Sequence, residues 1–284
     1  MDQETVRMQV EDVLARHLRV VSANPDGGIV DGGGACTYAV LGPVPLPVTL
    51  SDGHAAVFQW TTFAQLHPEV MTTAGLDTDP ALTLPATRLA LLRALSSNRG
   101  EWPQSVLTFG DFQRAERPLV RIHSNCATGD VFGSRRCECG PQLRSAFDQV
   151  AQAGAGAVIY LADHEGRGIG LFAKAAAYLL QDRGLDTYEA NRALGFGHDT
   201  RKFEDAAFIL NLLRGAGRSV RLLSNNPEKR RAMMEVGIKV VELTPLVTGL
   251  THSNLRYMKS KRAHGHILPE DLLHLDIKAL PVAI

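Results

Sequence analysis

The chain has 284 residues, room for one large domain or two modest ones, and its 45% hydrophobic and 21% charged content is that of a soluble globular protein. Thirty basic residues are matched by thirty acidic ones, which excludes the basic excess of a general nucleic-acid binder and leaves only local anion sites. Four cysteines exclude a disulfide framework, the charged first residues lack the apolar core of a signal peptide, and no apolar stretch can span a bilayer; the expectation is a cytoplasmic protein with neither a nucleic-acid nor a membrane partner.

In chain order, Val6, Val10, Val13, Leu14 and Leu18 recur at helical spacing and predict a helix over Glu4–Leu18. Asp26–Gly34 is glycine-rich and reads as a turn; a phosphate-cradling loop has similar composition, but no Gly-Lys-Ser/Thr follows. Pro45–Trp60 predicts strands, Leu82–Ser97 a helix and Arg99–Trp102 a loop. From Leu119 the pattern tightens. Strands are predicted at Leu119–His123, Gly156–Leu161, Val220–Leu223 and Val240–Leu243. Helices are predicted at Pro141–Ala153, Gly168–Arg183, Phe203–Leu213 and Pro227–Val236. Apolar strands alternating with helices predict an α/β fold, a sheet buried between helical layers. The stretch beyond Gly265 carries no clear pattern.

Four clusters carry chemistry. Cys126, Cys137 and Cys139 are spaced C-x10-C-x-C, with no fourth cysteine nearby. Three thiolates can hold zinc and leave its fourth tetrahedral position open, the arrangement of a catalytic site, although free cysteines are often just small buried hydrophobes. His123, Ser124, Thr128, Asp130 and Ser134 share that stretch as candidate hydrogen-bond partners, and Arg135 and Arg136 favour thiolate over thiol. The second cluster, Asp163–Gly170, links an apolar strand to a helix start. There Glu165 can accept the N1–H and amino edge of a guanine and Arg167 can reach a phosphate; a capped, solvated turn fits the segment equally. The third, Gly195–Arg201, sets Asp199 two residues before Arg201, which suits proton transfer with phosphate contact or a surface ion pair. The fourth, Leu223–Lys229, joins a strand end to a helix with Pro227 at its start. Ser224 and Lys229 there can hold a phosphate, or the segment is simply a capped helix.

Taken together and in this order, these segments resemble GTP cyclohydrolase II, from about Leu119 to Leu268: HS-x-C-x-TGD, the C-x-C pair, EGRGIGL, LQD-x-G-x-DT-x-EAN-x-x-LGF, D-x-R and NNP-x-K. The resemblance implies a mixed sheet flanked by helices, with residues 1–40 as an N-terminal extension, 41–270 as the catalytic domain with an insertion near 65–105, and 271–284 as a tail. It implies that Cys126, Cys137 and Cys139 bind one Zn2+ per subunit, and that water activated there opens the guanine imidazole ring at C8 and releases formate. Asp199 then corresponds to a proton acceptor, Arg201 to an arginine that attacks the α-phosphorus with loss of pyrophosphate, and Tyr178 to a tyrosine of the ring-opening site. Substrate contacts carry over to Arg121, His123, Ser124, Asn125, Gln142, Glu165, Gly166, Arg167, Thr187, Ser224 and Lys229, with Mg2+ on the nucleotide phosphates and a homodimer as the assembly.

The chain departs from the family pattern at three places. Asn125 stands where a Glu usually precedes the first cysteine, Asp163-His164 replaces Arg-Gln before EGR, and Ser224 replaces Thr. An Asn cannot act as a base or hold a cation as a carboxylate does. Two other expectations therefore stand beside GTP ring opening: a paralogue that opens a different nucleobase or nucleotide, and a zinc- and nucleotide-binding module without turnover. Asp199, Tyr178 and Arg201 weigh against the latter, because a binder needs no acid–base residue.

Overall fold

A computed structural model describes residues 2–31, 33–97, 102–197 and 199–270. His198, most of the Arg99–Trp102 loop and the 271–284 tail lie outside the described residues. The first half of the chain lays down helix α1 (Gln3–His17), strands β1 (Leu18–Ala23), β2 (Ile29–Val30), β3 (Cys36–Thr49) and β4 (Ala55–Gln65), helices α2 (Pro68–Ala74) and α3 (Pro85–Ser97), and strands β5 (Gln104–Phe109) and β6 (Leu119–Ser124). Helices α4 (Ala127–Asp130) and α5 (Cys139–Gln152), strand β7 (Gly156–Leu161), a 3-10 turn (Ala162–Arg167) and helices α6 (Gly170–Asp182), α7 (Thr187–Ala193) and α8 (Glu204–Arg214) follow. Strand β8 (Ser219–Leu223), helix α9 (Pro227–Glu235), strand β9 (Lys239–Thr244) and helix α10 (Leu255–Ala263) complete the described chain.

The nine strands of the described residues form one mixed sheet in the order β2-β1-β3-β4-β5-β7-β6-β8-β9. Pairing is antiparallel from β2 to β5 and between β5 and β7, then parallel through β7, β6, β8 and β9. The expected α/β sheet flanked by helices is thus the observed one. The boundary expected at residue 40 falls inside β3, and β1 pairs with β3 along Leu18–Ala23, so the N-terminal strands continue the same sheet. Helices α2 and α3 occupy the span between β4 and β5 where the insertion was expected.

Side chains that alternate along β6 divide between two cores. Val120 and Ile122 pack with Phe208 and Ile209 of α8, while Leu119 packs with Ala146 and Val150 of α5. A third cluster, with Leu18, Leu66, Leu82 and Leu91, ties α2 and α3 to the N-terminal strands. The glycine-rich turn before β2 docks on α8. Tyr38 stacks on Phe208 at 3.8 Å, Asn211 Nδ2 donates to the Gly27 carbonyl at 3.1 Å, and a Cβ at Gly27 would meet the Phe208 nitrogen at 2.5 Å. Gly27 has φ +80, so it is glycine both for its left-handed backbone and for its close approach to a helix. Among the described residues no helix is long and apolar enough to cross a membrane.

Candidate active site

Parallel strands β6, β7 and β8 end side by side, and the segments leaving their carboxyl ends enclose one cleft, the usual crevice of an open α/β sheet. The β6 face that turns towards α5 carries Arg121 and His123 at alternate positions after Leu119, so two polar side chains are delivered from a buried strand into the cleft.

Beyond β6 the chain turns through α4 and brings three sulfurs together. The ligand atoms of Cys126, Cys137 and Cys139 all lie within 4.8 Å of one another, with Cys126 Sγ and Cys137 Sγ 3.6 Å apart. Sulfurs bound tetrahedrally to one zinc at about 2.3 Å stand about 3.8 Å apart, so this trio matches a metal set and not a disulfide. Gly129 makes the convergence possible: a Cβ there would sit 2.9 Å from Cys137 Sγ and 3.2 Å from Cys126 Sγ. We expect Gly129→Ala to splay the thiols and weaken zinc binding by about 10- to 100-fold, the cost typical of disturbing a metal's supporting shell. Chelator competition with metal analysis measures this, and an unchanged affinity would refute the packing argument.

The three thiols cannot ionise together without a cation. Cys126 is held down by the Cys137 and Cys139 sulfurs and by Lys174, whereas its sulfur pushes Cys137 up to about 12 and raises Cys139 well above the ordinary thiol value. Lys174 Nζ lies 3.1 Å from Cys126 Sγ and 2.6 Å from Glu165 Oε1. The cation beside the sulfurs is thus Lys174. Arg136, expected in that role, binds Asp182 at 2.9 Å and lies over the Tyr178 ring at 4.9 Å. Thr128 Oγ1 is 3.7 Å from Cys126 Sγ and 3.1 Å from the Tyr178 hydroxyl, and the Cys126 N–H donates to Asp130 Oδ2 at 3.0 Å.

The glycine-rich turn after β7 is left-handed at Gly166 (φ 61), Arg167 (φ 68) and Gly168 (φ 89). Glycine takes this backbone without strain, whereas Arg167 costs about 1 kcal/mol there. The Arg167 carbonyl accepts from the Thr200 N–H and hydroxyl at 3.2 and 3.1 Å, and its guanidinium lies 3.8 Å over the Tyr188 ring. Glu165, expected at a guanine edge, has its carboxylate engaged inside the protein: Oε2 accepts from the Ala127 N–H at 2.7 Å, and Oε1 from Lys174 and the Gly166 N–H. It ties the glycine turn to the cysteine loop. Asn125 lines the cleft, but its amide is also committed, Nδ2 donating to the Ala162 carbonyl and Oδ1 accepting from the Tyr160 hydroxyl, both at 2.8 Å.

Opposite the thiols the cleft is cationic. Arg121 donates to the Leu223 carbonyl at 3.0 Å and to Gln142 Oε1 at 2.9 Å. Lys229, on the first turn of α9, donates to the Ile122 carbonyl at 2.9 Å and to Ser124 Oγ at 3.4 Å. Burial lowers Arg121 to about 10 and pushes Lys229 well below the usual lysine value, and neighbouring Arg201 lowers both. Neither has a carboxylate within ion-pair distance among the described residues. Asp199 binds Arg201 bidentately, with Nε 2.8 Å from Oδ1 and Nη2 closer still to Oδ2. Ser224 accepts the Asn226 N–H at 3.1 Å, and Asn226 caps α9, so the expected capped helix and the expected cation coexist.

The cleft therefore gathers the three cysteines, Tyr178, Arg201, Arg121, His123, Ser124, Asn125, Gln142, Gly166, Arg167, Thr187, Ser224 and Lys229. Asp199 reaches it through Arg201, and Glu165 serves the loop beneath it. Sequence reasoning missed Lys174, Asn191, Tyr257, Lys261 and His266, which also line it. Lys174 is the single charge in the apolar run Leu171–Leu180, four residues before Tyr178 on the same helix face, and that signal was readable.

A family model described as GTP cyclohydrolase II matches residues 89–245. Over 174 residues the chain is 53% identical to GTP cyclohydrolase-2 of Streptomyces coelicolor, covering 61% of this chain and 76% of that protein. It is 48% identical over 171 residues to the riboflavin biosynthesis protein RibBA of Nocardia farcinica (60% of this chain, 40% of that one) and 50% identical over 159 residues to RibBA of Mycobacterium tuberculosis (56% and 36%). The chain thus spans about three quarters of the first relative and about two fifths of the RibBA proteins. The matched residues include β5 to β9 and every cysteine of the cluster, and the chain belongs to the GTP cyclohydrolase II family.

Proposed function

We propose that the cleft binds GTP and opens its imidazole ring by hydrolysis, releasing formate and pyrophosphate and leaving a diaminopyrimidinone ribosylamine phosphate, a step of riboflavin biosynthesis. One observation carries this reading: five buried polar atoms without partners, Arg121 Nε, His123 Nδ1, Glu138 Oε2, Asn191 Nδ2 and His266 Nδ1, belong to residues that line this same cleft. Buried polar atoms are rarely left unpaired, so such a concentration marks where a polar ligand binds.

Cys126, Cys137 and Cys139 would hold the zinc. Bound there, the ion supplies a Lewis acid and a nucleophile drawn from water near neutral pH. The chain's own groups divide the remaining work. His123 Nε2 faces Asp130 Oδ2 at 3.0 Å, and a carboxylate only accepts, so the proton sits on Nε2. Burial keeps the ring neutral and leaves Nδ1 as an acceptor for a substrate N–H or O–H. Tyr178 places its hydroxyl on the thiol side of the cleft. Arg121 supplies fixed positive charge for the triphosphate and the departing pyrophosphate, and Lys229 a donor whose charged form the phosphates would favour. Asp199, bound to Arg201, would accept its proton as a guanidinium nitrogen bonds to the α-phosphorus and pyrophosphate leaves; water would then cleave that P–N bond and release the phosphate monoester. Magnesium would enter with the nucleotide phosphates. The same family reading carries a cytoplasmic homodimer, which light scattering would register as twice 30.8 kDa.

A panel of purine and pyrimidine nucleotides, followed by ultraviolet absorbance and mass spectrometry, separates this reading from a paralogue with another substrate. GTP is expected to lose its imidazole absorbance while pyrimidine nucleotides stay intact. Ring opening of another base with GTP untouched would overturn the assignment.

A further inference from the structure

His164 is buried at 3% exposure, and the reaction just described gives it no part. Its Nε2 lies 2.6 Å from the Lys202 carbonyl oxygen. A carbonyl can only accept, so Nε2 carries the proton. Burial, together with the charges of Arg201 and Lys229, holds the ring neutral and lowers it to about 3, against the opposing pull of the Lys202 carbonyl and of Asp199. Asp163 Oδ1 is 4.0 Å away and accepts instead from Gln104 Nε2 at 2.9 Å. A neutral ring protonated on Nε2 leaves Nδ1 bare, and Nδ1 stands 3.1 Å from Ser124 Oγ. The Ser124 hydroxyl must therefore donate to His164. Its lone pairs are then turned towards Arg201 Nη1 at 3.2 Å and Lys229 Nζ at 3.4 Å.

Both bonds lead to neighbours of Arg201. The Lys202 carbonyl belongs to the next residue of its loop, and Ser124 is a hydrogen-bond partner of its guanidinium. Thr200, on the other side, is pinned to the Arg167 carbonyl, and His164 itself stands edge-on to Phe203 with ring centres 5.2 Å apart. We propose that His164 is a positioning residue for Arg201: through the Lys202 carbonyl and the Ser124 hydroxyl it fixes the loop and the guanidinium at the phosphate end of the cleft. A glutamine carries the same pair of groups, an N–H for the carbonyl and an acceptor for the serine hydroxyl. The proposal rests on the GTP reading above, so its test includes a measurement independent of turnover.

The test compares His164→Gln and His164→Leu in the full, zinc-loaded chain. Formate and pyrophosphate are quantified separately, alongside zinc content and thermal melting. His164→Leu should lower kcat for pyrophosphate release on the order of 100-fold, the effect of an angstrom-scale misplacement, with KM changed by less than about threefold. His164→Gln should stay within about threefold of the parent. Equal losses in both variants, or none in His164→Leu, would overturn the proposal. Nitrogen-15 resonances of the ring give the turnover-independent answer: His164 should be neutral and protonated on Nε2 from pH 5 to 8. An Nδ1–H tautomer or an imidazolium in that range contradicts the proposal even if GTP proves not to be the substrate, while failure of the parent on GTP with the expected tautomer indicts only the substrate reading.

Discussion

Cys137→Ser should strip the protein of zinc and lower formate release by more than about 100-fold, beyond what loss of an outer-shell metal partner costs. The reason is local. Cys137 is buried and its sulfur lies 3.6 Å from that of Cys126, so the substitution replaces a soft thiolate by a hydroxyl that stays protonated at neutral pH. Two sulfurs cannot define the site. Cys36, half-buried on β3 and outside the cluster, supplies the control, and Cys36→Ser should leave zinc and rate unchanged. Metal analysis and a formate assay on both variants decide the matter: a Cys137→Ser protein that retains one zinc and its full rate would remove the basis of the account.

Lys229→Met should act in opposite directions on stability and on binding. The ammonium is buried and flanked by Arg121 and Arg201, Asp199 favours its charged form, and a buried cation without a close carboxylate is costly. Removing it should stabilise the ligand-free fold by about 2 kcal/mol, after allowance for the carbonyl and hydroxyl left unpaired. Nucleotide binding should weaken by about 10- to 100-fold, the value of one hydrogen bond to a charged group. The pH dependence has a definite sign. Below the lowered folded-state pKa, lysine is charged whether folded or unfolded, and the penalty is fully present. Between that value and the ordinary 10.5 the unfolded chain holds a proton that the folded one lacks, so stability rises with pH. Lys229→Met should lose this rise. Thermal melts with and without GTP across alkaline pH measure it, and a variant that is less stable without nucleotide at every pH would refute the unpaired-cation argument.

What was legible in the sequence was local in the chain. The cysteine spacing, the EGRG turn and the Asn-Asn-Pro helix start each lie within one short segment, and each formed as expected. What escaped depends on distant partners. Lys261 reaches Glu138 across 123 positions, and α10, which carries it, buries only Leu255 and Met258, too little apolar pattern to announce a helix. Glu165 shows the converse. Its position suggested a base-recognition carboxylate, but two backbone N–H groups and Lys174 take up its oxygens. Asn125 likewise makes sense only beside Tyr160, a neighbour brought by β7. An Asn there completes a hydrogen-bond network that includes Asp130 and, through it, His123, because the Tyr160 hydroxyl also lies 3.1 Å from Asp130 Oδ2.

The most direct test is the stoichiometry of products from GTP. Zinc-loaded protein with magnesium and GTP is expected to release one formate and one pyrophosphate for each imidazole ring lost, and the Cys137→Ser variant neither. Binding of GTP by the zinc-loaded protein with no formate above that variant would contradict the account and leave a nucleotide-binding module in its place.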